Sequence, residues 1–286
     1  MQNVSQSQAT EAVPVTAKEK TSFWRAKPFR NMECMTATFI THEFAPHAHD
    51  TFSIGAIESG CQIASIRGER AFTGPGALYL LNPGEIHDGA PGISDGYRYR
   101  MIYPEIGLLT GILEDVTGRT FQGTPSFSRQ LLHDPDLAQA FHHAHRLVEA
   151  GDEPLAAEEA MYSVLSRMFA QYGSVIISPP AETGRTGVVR ARDYLAENFE
   201  SDIGLEELAG VAGLSRAHLI RAFRREFFIT PHAFQTDMRV RQARRLLREG
   251  AAPSEVAVQC GFADQAHFTR HFKARTGVTP AVFRNG

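Results

Sequence analysis

The chain has 286 residues, 43% hydrophobic and 21% charged, which is globular composition and enough for one large domain or two ordinary ones. A formal charge of −3 and three scattered cysteines exclude a strongly basic scaffold, a disulfide framework and a CxxC zinc site. No apolar run reaches the roughly 18–20 residues of a membrane span. The opening MQNVSQSQATEAVPVTAKEK lacks the basic start and apolar core of a secretory signal, so residues 1–22 read as a disordered tail on a cytoplasmic protein with no membrane partner.

From 36 to 105 the texture is that of strands. MTATFI, DTFSIGAI, CQIASIRG, GALYLL and YRYRMIY are short, rich in β-branched or aromatic residues, and separated by Gly and Pro. Such spacing predicts a sandwich or small barrel. From about 128 the pattern turns helical. DPDLAQAFHHAHRLVEAG sets Leu137, Phe141, Ala144, Leu147 and Val148 at helical spacing before Gly151. A second helix over 154–172 carries Leu155, Ala156, Met161, Val164, Leu165, Met168 and Phe169. The two form a hairpin whose apolar stripes are expected to join two chains as a homodimer. His142, His143 and His145 spread around the first helix and read as surface residues. SPPAETGRTG, residues 178–187, gathers Pro, Gly and small polar residues and reads as the interdomain linker. It divides a domain over 23–177 from an all-helical one over 188–286.

The charge is divided at the same place. Residues 1–184 carry −8 and residues 185–286 carry +5, and 15 of the 16 cations in the latter are Arg. Arg presents a planar fork of donors suited to phosphates and guanine edges. The basic segment also repeats itself. Ala209 and Gly213 match Ala257 and Gly261 at an offset of 48, and Ala217, His218, Arg221, Phe223, Thr230, Pro231 and Phe234 match Ala266, His267, Arg270, Phe272, Thr279, Pro280 and Phe283 at 49.

Each copy, about 205–226 and 254–275, follows helix-turn-helix logic. A short helix carries a small residue, Ala209 or Ala257, where two helices approach. A turn with Gly213 or Gly261 follows. The longer helix turns Leu219 and Phe223, or Phe268 and Phe272, inward at i, i+4. Its outer face presents Arg216, Ala217, Ile220, Arg221 and Arg224 in the first copy, and Gln265, Ala266, Thr269, Arg270 and Lys273 in the second. Arg suits guanine or phosphate, Gln adenine, and apolar groups the thymine methyl. Between the copies, MRVRQARRLL turns Val240, Ala243, Leu246 and Leu247 inward. About 17 helical residues span roughly 25 Å, enough to set two reading helices about one duplex turn apart. Arg224, Arg244 and Lys273 are the expected phosphate contacts. The blander reading of all this is a helical bundle with solvated charges, against which the tandem duplication argues.

The segment from about 190 to 284 resembles the DNA-binding domain of the arabinose-regulator (AraC/XylS) family of bacterial transcription factors. LEELAGVAGLSRAHLIRAFRR is similar to its first helix-turn-helix, and VAVQCGFADQAHFTRHFKARTGVTPAVFR to its later signature. The resemblance implies that Ala217, Ile220 and Arg221 read bases in the first unit and Gln265, Ala266, Thr269 and Arg270 in the second. One departure is that the family has Gly just after the first recognition helix, as Gly277 stands after the second, whereas this chain has Phe228 there. A left-handed cap is costly for Phe.

PHAHDTFSIG followed by GPGALYLLNPGEIHDG resembles the cupin sensor domain that family members carry, a small double-sheet barrel with an interior cavity. His47, His49 and His87 fall where catalytic cupins keep metal ligands, but Phe52, Ser53 and Ile54 stand where the acidic ligand belongs. These histidines are therefore read as effector-binding, with no metal assigned. Tyr97 and Tyr99 alternate with Arg98 and Arg100, so one pair faces inward. An inward Arg100 would favour a carboxylate-bearing effector. No nucleophile–base pair or phosphate loop is present, so no catalytic residue and no cofactor is expected.

The expected fold is α+β: a cupin-like barrel with a helical hairpin, then an all-α domain with two helix-turn-helix units. The expected function is a transcription regulator, activator or repressor, whose promoter binding or activation is controlled by a small polar effector. Promoter DNA and RNA polymerase are its partners. The alternatives are a metal-dependent cupin enzyme fused to a DNA-binding domain, and an effector-independent regulator whose cupin only dimerises.

Overall fold

A computed structural model describes residues 19–66, 69–118, 120–121, 123–174, 185–276 and 278–285. They fall into two compact units. One holds the described residues up to Glu149 and those from Ala160 to 174. The other holds Ala150–Glu159 and the described residues from 185 onward.

The first unit is built on two antiparallel sheets. All five expected strands form: β2 (Met32–Phe39), β4 (Ser53–Gly60), β5 (Gln62–Ile66), β7 (Ala77–Leu81) and β9 (Tyr97–Tyr103). Between and around them run β1 (Lys20–Ala26), β3 (Phe44–His47), β6 (Glu69–Thr73), β8 (His87–Pro91) and β10 (Leu131–His133). The larger sheet has the order β1-β2-β9-β4-β7-β10, the smaller β3-β8-β5-β6. Met35, Ala37, Phe39, Ile57, Ala64, Tyr79, Tyr97, Tyr99 and Tyr103 cluster in its interior.

Strand β1 begins inside the stretch read as a tail. Lys20 pairs with Thr38 along the edge of β2, and the pairing runs to Ala26 opposite Met32. Backbone pairing rather than side-chain pattern makes this strand, which is why the sequence concealed it. The Glu19 carboxylate fixes its start, accepting from the N–H groups of Ile40, Thr41 and His42 at 2.8, 2.5 and 2.8 Å. Burial pushes that carboxyl up, yet these donors hold it down at about 2. The rest of the expected tail, residues 1–18, lies outside the described residues, as do 178–184 of the expected linker.

Helix α1 (Ile106–Thr117) was not anticipated. Leu108, Leu109, Ile112, Leu113 and Val116 form its buried stripe, while Gly107 and Gly111 weaken its propensity and mask it in the sequence. Helices α2 (Pro135–Ala150) and α3 (Pro154–Tyr172) are the expected hairpin. Their apolar stripes are already covered within the single chain. Leu137, Phe141, Val164, Leu165, Met168 and Phe169 are all buried, and Phe169 stacks on Phe127 at 4.3 Å between centroids. These stripes are therefore unavailable as the homodimer interface the sequence suggested.

The second unit contains α4 (Arg185–Glu197), α5 (Leu205–Ala212), α6 (Arg216–Phe227), α7 (Pro231–Arg248), α8 (Pro253–Gln259), α9 (Gln265–Thr276) and α10 (Pro280–Asn285). Both helix-turn-helix units form at the expected places. Gly213 closes α5 at φ 66°, and Gly261 follows α8 at φ 75°. A Cβ on Gly261 would collide with the Glu200 backbone, so that turn needs glycine for two reasons. Leu219, Phe223, Phe268 and Phe272 are fully buried, and Val240, Ala243 and Leu247 of α7 face inward as expected. Arg239 is buried on α7 as well. It donates to the carbonyls of Phe199 at 2.6 Å and Ser201 at 2.9 Å, satisfying backbone acceptors just beyond α4.

Candidate functional site

The barrel interior opens into a cavity of about 50 Å³ lined by His47, His49 and His87 with Phe44, Ser53, Gln62, Tyr79, Tyr99 and Tyr103. Backbone register gathers the imidazoles: His47 on β3 pairs with His87 on β8. Their ring centroids lie 4.4 Å apart, with His49 at 4.8 Å from His47 and 5.2 Å from His87. His87 Nδ1 lies 2.9 Å from the Glu85 carbonyl and donates to it, leaving Nε2 as an acceptor in the neutral ring. Burial holds His87 down at about 4, so it is neutral at physiological pH. The Tyr99 and Tyr103 hydroxyls are pushed up by burial and remain protonated donors. Gln62 Nε2 donates to Tyr97 Oη at 3.1 Å, and Thr73 and Tyr79 share a short hydrogen bond. Such an arrangement can hydrogen-bond a small polar molecule from several sides. The ligand atoms of the three histidines lie within 4.8 Å of one another, so they could also hold a cation. Phe52 and Ile54, where the acidic cupin ligand is missing, are fully buried.

Arg100 is not part of this cavity. On β9 it is Tyr97, Tyr99, Met101 and Tyr103 that turn toward the interior cluster. Alternation sends Arg100 to the other face, where it is only 4% exposed. There its guanidinium donates to Glu149 Oε2 at 2.5 Å, Thr36 Oγ1 at 3.2 Å and His145 Nδ1 at 3.1 Å. His145, read as a surface residue, is fully buried. It falls on the stripe of Leu137 and Phe141, at i+8 and i+4, so the face of α2 that packs on the sheet carries it inward. Its Nε2 donates to the Met101 carbonyl at 3.1 Å, and burial beside the Arg100 charge lowers it to about 3. His142 is half-buried and His143 exposed.

In the helical unit, α6 and α9 carry the residues expected to read bases. Ser215 caps α6, its side chain accepting from the His218 N–H. Asp264 does the same before α9, accepting from the His267 N–H at 2.7 Å. Gln265, Ala266, Arg270 and Lys273 are exposed, as are Arg221, Arg224 and Arg244, while Arg216, Ile220 and Thr269 are half-exposed. Arg244 lies over the Phe283 ring at 5.6 Å. Ala217 departs from expectation. It is only 5% exposed, buried on the inner side of α6 with Leu219, Ala222 and Phe223. Phe228 adopts the left-handed cap, φ 59° and ψ 16°, and its N–H reaches the Arg224 carbonyl. The first reading helix therefore ends as a glycine-capped one would, with a bulky side chain in a strained position. Gly277 lies outside the described residues.

The structure also places Glu153 against His267 and His271, and Arg270 Nη2 lies 3.9 Å from both Asp152 Oδ2 and Glu153 Oε1. Sequence reading missed this cluster, although two histidines at i, i+4 on one helix were visible in it.

A profile of the AraC-like ligand binding domain matches residues 30–165, and a helix-turn-helix domain profile matches 208–286. The chain is 28% identical over 242 residues to the uncharacterized HTH-type transcriptional regulator YbfI of Bacillus subtilis, covering 84% of this chain and 86% of that one. It is 28% identical over 233 residues to the arabinose operon regulatory protein of Salmonella typhimurium, covering 77% and 78%. Among solved structures it is similar to the C-terminal domain of AraT, a response regulator from Geobacillus stearothermophilus. That likeness has 29% identity and a TM-score of 0.34, over 36% of this chain and 88% of that one. Two domains in this order, a β-rich ligand-binding domain and a paired helix-turn-helix domain, define a DNA-binding transcriptional regulator. The chain belongs to the AraC family of these regulators. No described helix is long and apolar enough to cross a membrane.

Proposed function

We propose that a small neutral polar molecule, bound among His47, His49 and His87, sets how strongly the regulator holds its promoter. The gathering of three imidazoles at one cavity carries this reading. The lining offers neutral donors and acceptors: imidazoles, the phenols of Tyr99 and Tyr103, and the Gln62 amide. Arg100, which would have favoured a carboxylate, is engaged on the opposite face of β9. A hydroxylated, uncharged effector fits these groups best. The proposal extends to residues 23–177 as sensor and 188–286 as reader, at work on promoter DNA in the cytoplasm. RNA polymerase is the second macromolecular partner, and a homodimer would form through a face other than the covered stripes of α2 and α3. The homologues are regulators, and the chain acts by binding rather than by turnover.

A ligand shifts such an equilibrium only by its differential affinity for the two states. A coupling of about 1–3 kcal/mol changes operator affinity roughly 5- to 150-fold. The test selects the bound operator from genomic fragments, screens polar metabolites by thermal shift, and titrates the operator with and without each hit. His87→Ala should leave affinity without effector nearly intact and remove the response. A His87→Ala variant that responds like wild type would place the sensing site elsewhere.

A further inference from the structure

We infer that Glu153, His267 and His271 form a binding site for a divalent transition-metal cation of the zinc class, on the second reading helix. His267 and His271 stand one turn apart on α9 and so share one face. Two imidazoles at i, i+4 are the means by which a helix presents two nitrogens to one cation. Both Nε2 atoms lie against the same oxygen, Glu153 Oε1. The three ligand atoms all lie within 4.8 Å of one another. The two rings are 4.6 Å apart and nearly perpendicular, so they converge on this point rather than stack.

The cluster is built, not incidental. Glu153 is 9% exposed and His267 4%. His271 Nε2 is buried and lies against Glu153 Oε1. A cation at that point would bind both nitrogens and the carboxylate at once. A third imidazole stands by: His232 Nε2 is 3.6 Å from Glu153 Oε2. Two imidazoles and a carboxylate are a donor set that zinc accepts in tetrahedral geometry alongside a fourth ligand. Softness also admits nickel, copper or cobalt and disfavours magnesium and calcium.

The remaining contacts say what binding must change. His267 Nδ1 accepts from the Ala263 N–H at 3.3 Å, and His271 Nδ1 lies 3.3 Å from Arg275 Nη1. In that arrangement the ring protons sit on Nε2, facing Glu153. A cation takes their place, the ring protons move to Nδ1, and both long contacts open. Binding also offsets the Glu153 charge that lies 3.9 Å from Arg270, so an exposed side chain of the reading face loses a competing anion.

The experiment uses the full chain, stripped with chelator and carrying His47→Ala, His49→Ala and His87→Ala so that the barrel histidines cannot compete. Cobalt(II) is titrated and followed by its visible absorption, then displaced with zinc. The expected result is one equivalent with the intense bands of a tetrahedral ion. His271→Gln and Glu153→Gln, which keep polar contacts and so spare the fold, should each weaken binding by at least the roughly 10- to 100-fold that even an outer-shell partner is worth. Circular dichroism melts establish that each variant is folded. Absence of the cobalt bands, or bands of unchanged affinity in both Gln variants, overturns the assignment. Because the barrel histidines are removed throughout, neither outcome bears on effector binding.

Discussion

The two helix-turn-helix units share a frame and differ in what surrounds it. Both close their first helix at a glycine with positive φ, cap the second with an oxygen that accepts from a histidine N–H, and bury a phenylalanine two turns further on. His218 and His267 hold the same place in the repeat. His218 is half-buried, and burial and the charges of Arg221 and Arg225 push it down. His267 is buried and meets the Glu153 carboxylate, with His271 beside it where the first unit has Ala222. The frame is retained because packing permits little else. The faces diverge because neighbours, not the repeat, decide what an exposed or half-buried position meets.

The largest test of the shared frame is the core pair. Phe223→Ala and Phe272→Ala each empty a fully buried ring site and should cost about 3–5 kcal/mol by urea denaturation. Costs differing by more than half would show that the units are not energetically equivalent. The reading faces come next. Arg221→Ala and Arg270→Ala should each weaken operator binding by about 1–3 kcal/mol and relax preference at separate base pairs, measured by fluorescence anisotropy on an operator variant series. Arg244→Ala should weaken all sequences alike and lower the salt slope by about one. An Arg221→Ala variant with unaltered base preference would leave readout to the second unit alone.

A smaller effect separates the helix ends. Phe228 is 90% exposed in a left-handed cap, so Phe228→Gly removes strain at no packing cost and should stabilise by about 1 kcal/mol in thermal melts. The smallest concerns the paired histidines. His218 is lowered in the folded chain, so its neutral form is favoured there. Its contribution is complete above the ordinary imidazole range and is lost as pH falls through that range toward the folded value. Subtracting the pH profile of His218→Gln from that of wild type should reveal an acid-side slope of at most a few tenths of a kcal/mol after solvent screening. A difference of opposite sign would mean that a neighbouring anion dominates the site.

Much of this molecule was written locally. The duplication, its glycines, the inward Phe and Leu positions and the arginine-rich outer faces follow from spacing alone, because a helix of fixed pitch leaves each side chain little choice of face. The five strongest strands and the triad of His47, His49 and His87 were legible for similar reasons, in alternation and in motif. What the sequence could not decide was which of two alternating faces is the interior one. On β9 it offered tyrosines or arginines, and only the packing of α2 against the sheet sends Arg100 to Glu149 and His145 and leaves Tyr99 and Tyr103 to line the cavity. Nor could it show that Leu165 is covered by its own chain, that Ala217 is buried, or that β1 exists, since its alignment comes from the edge of β2. Glu153 and His267 stand 114 residues apart. Local periodicity carries no information over that distance, so a cluster of that kind is made by tertiary structure alone.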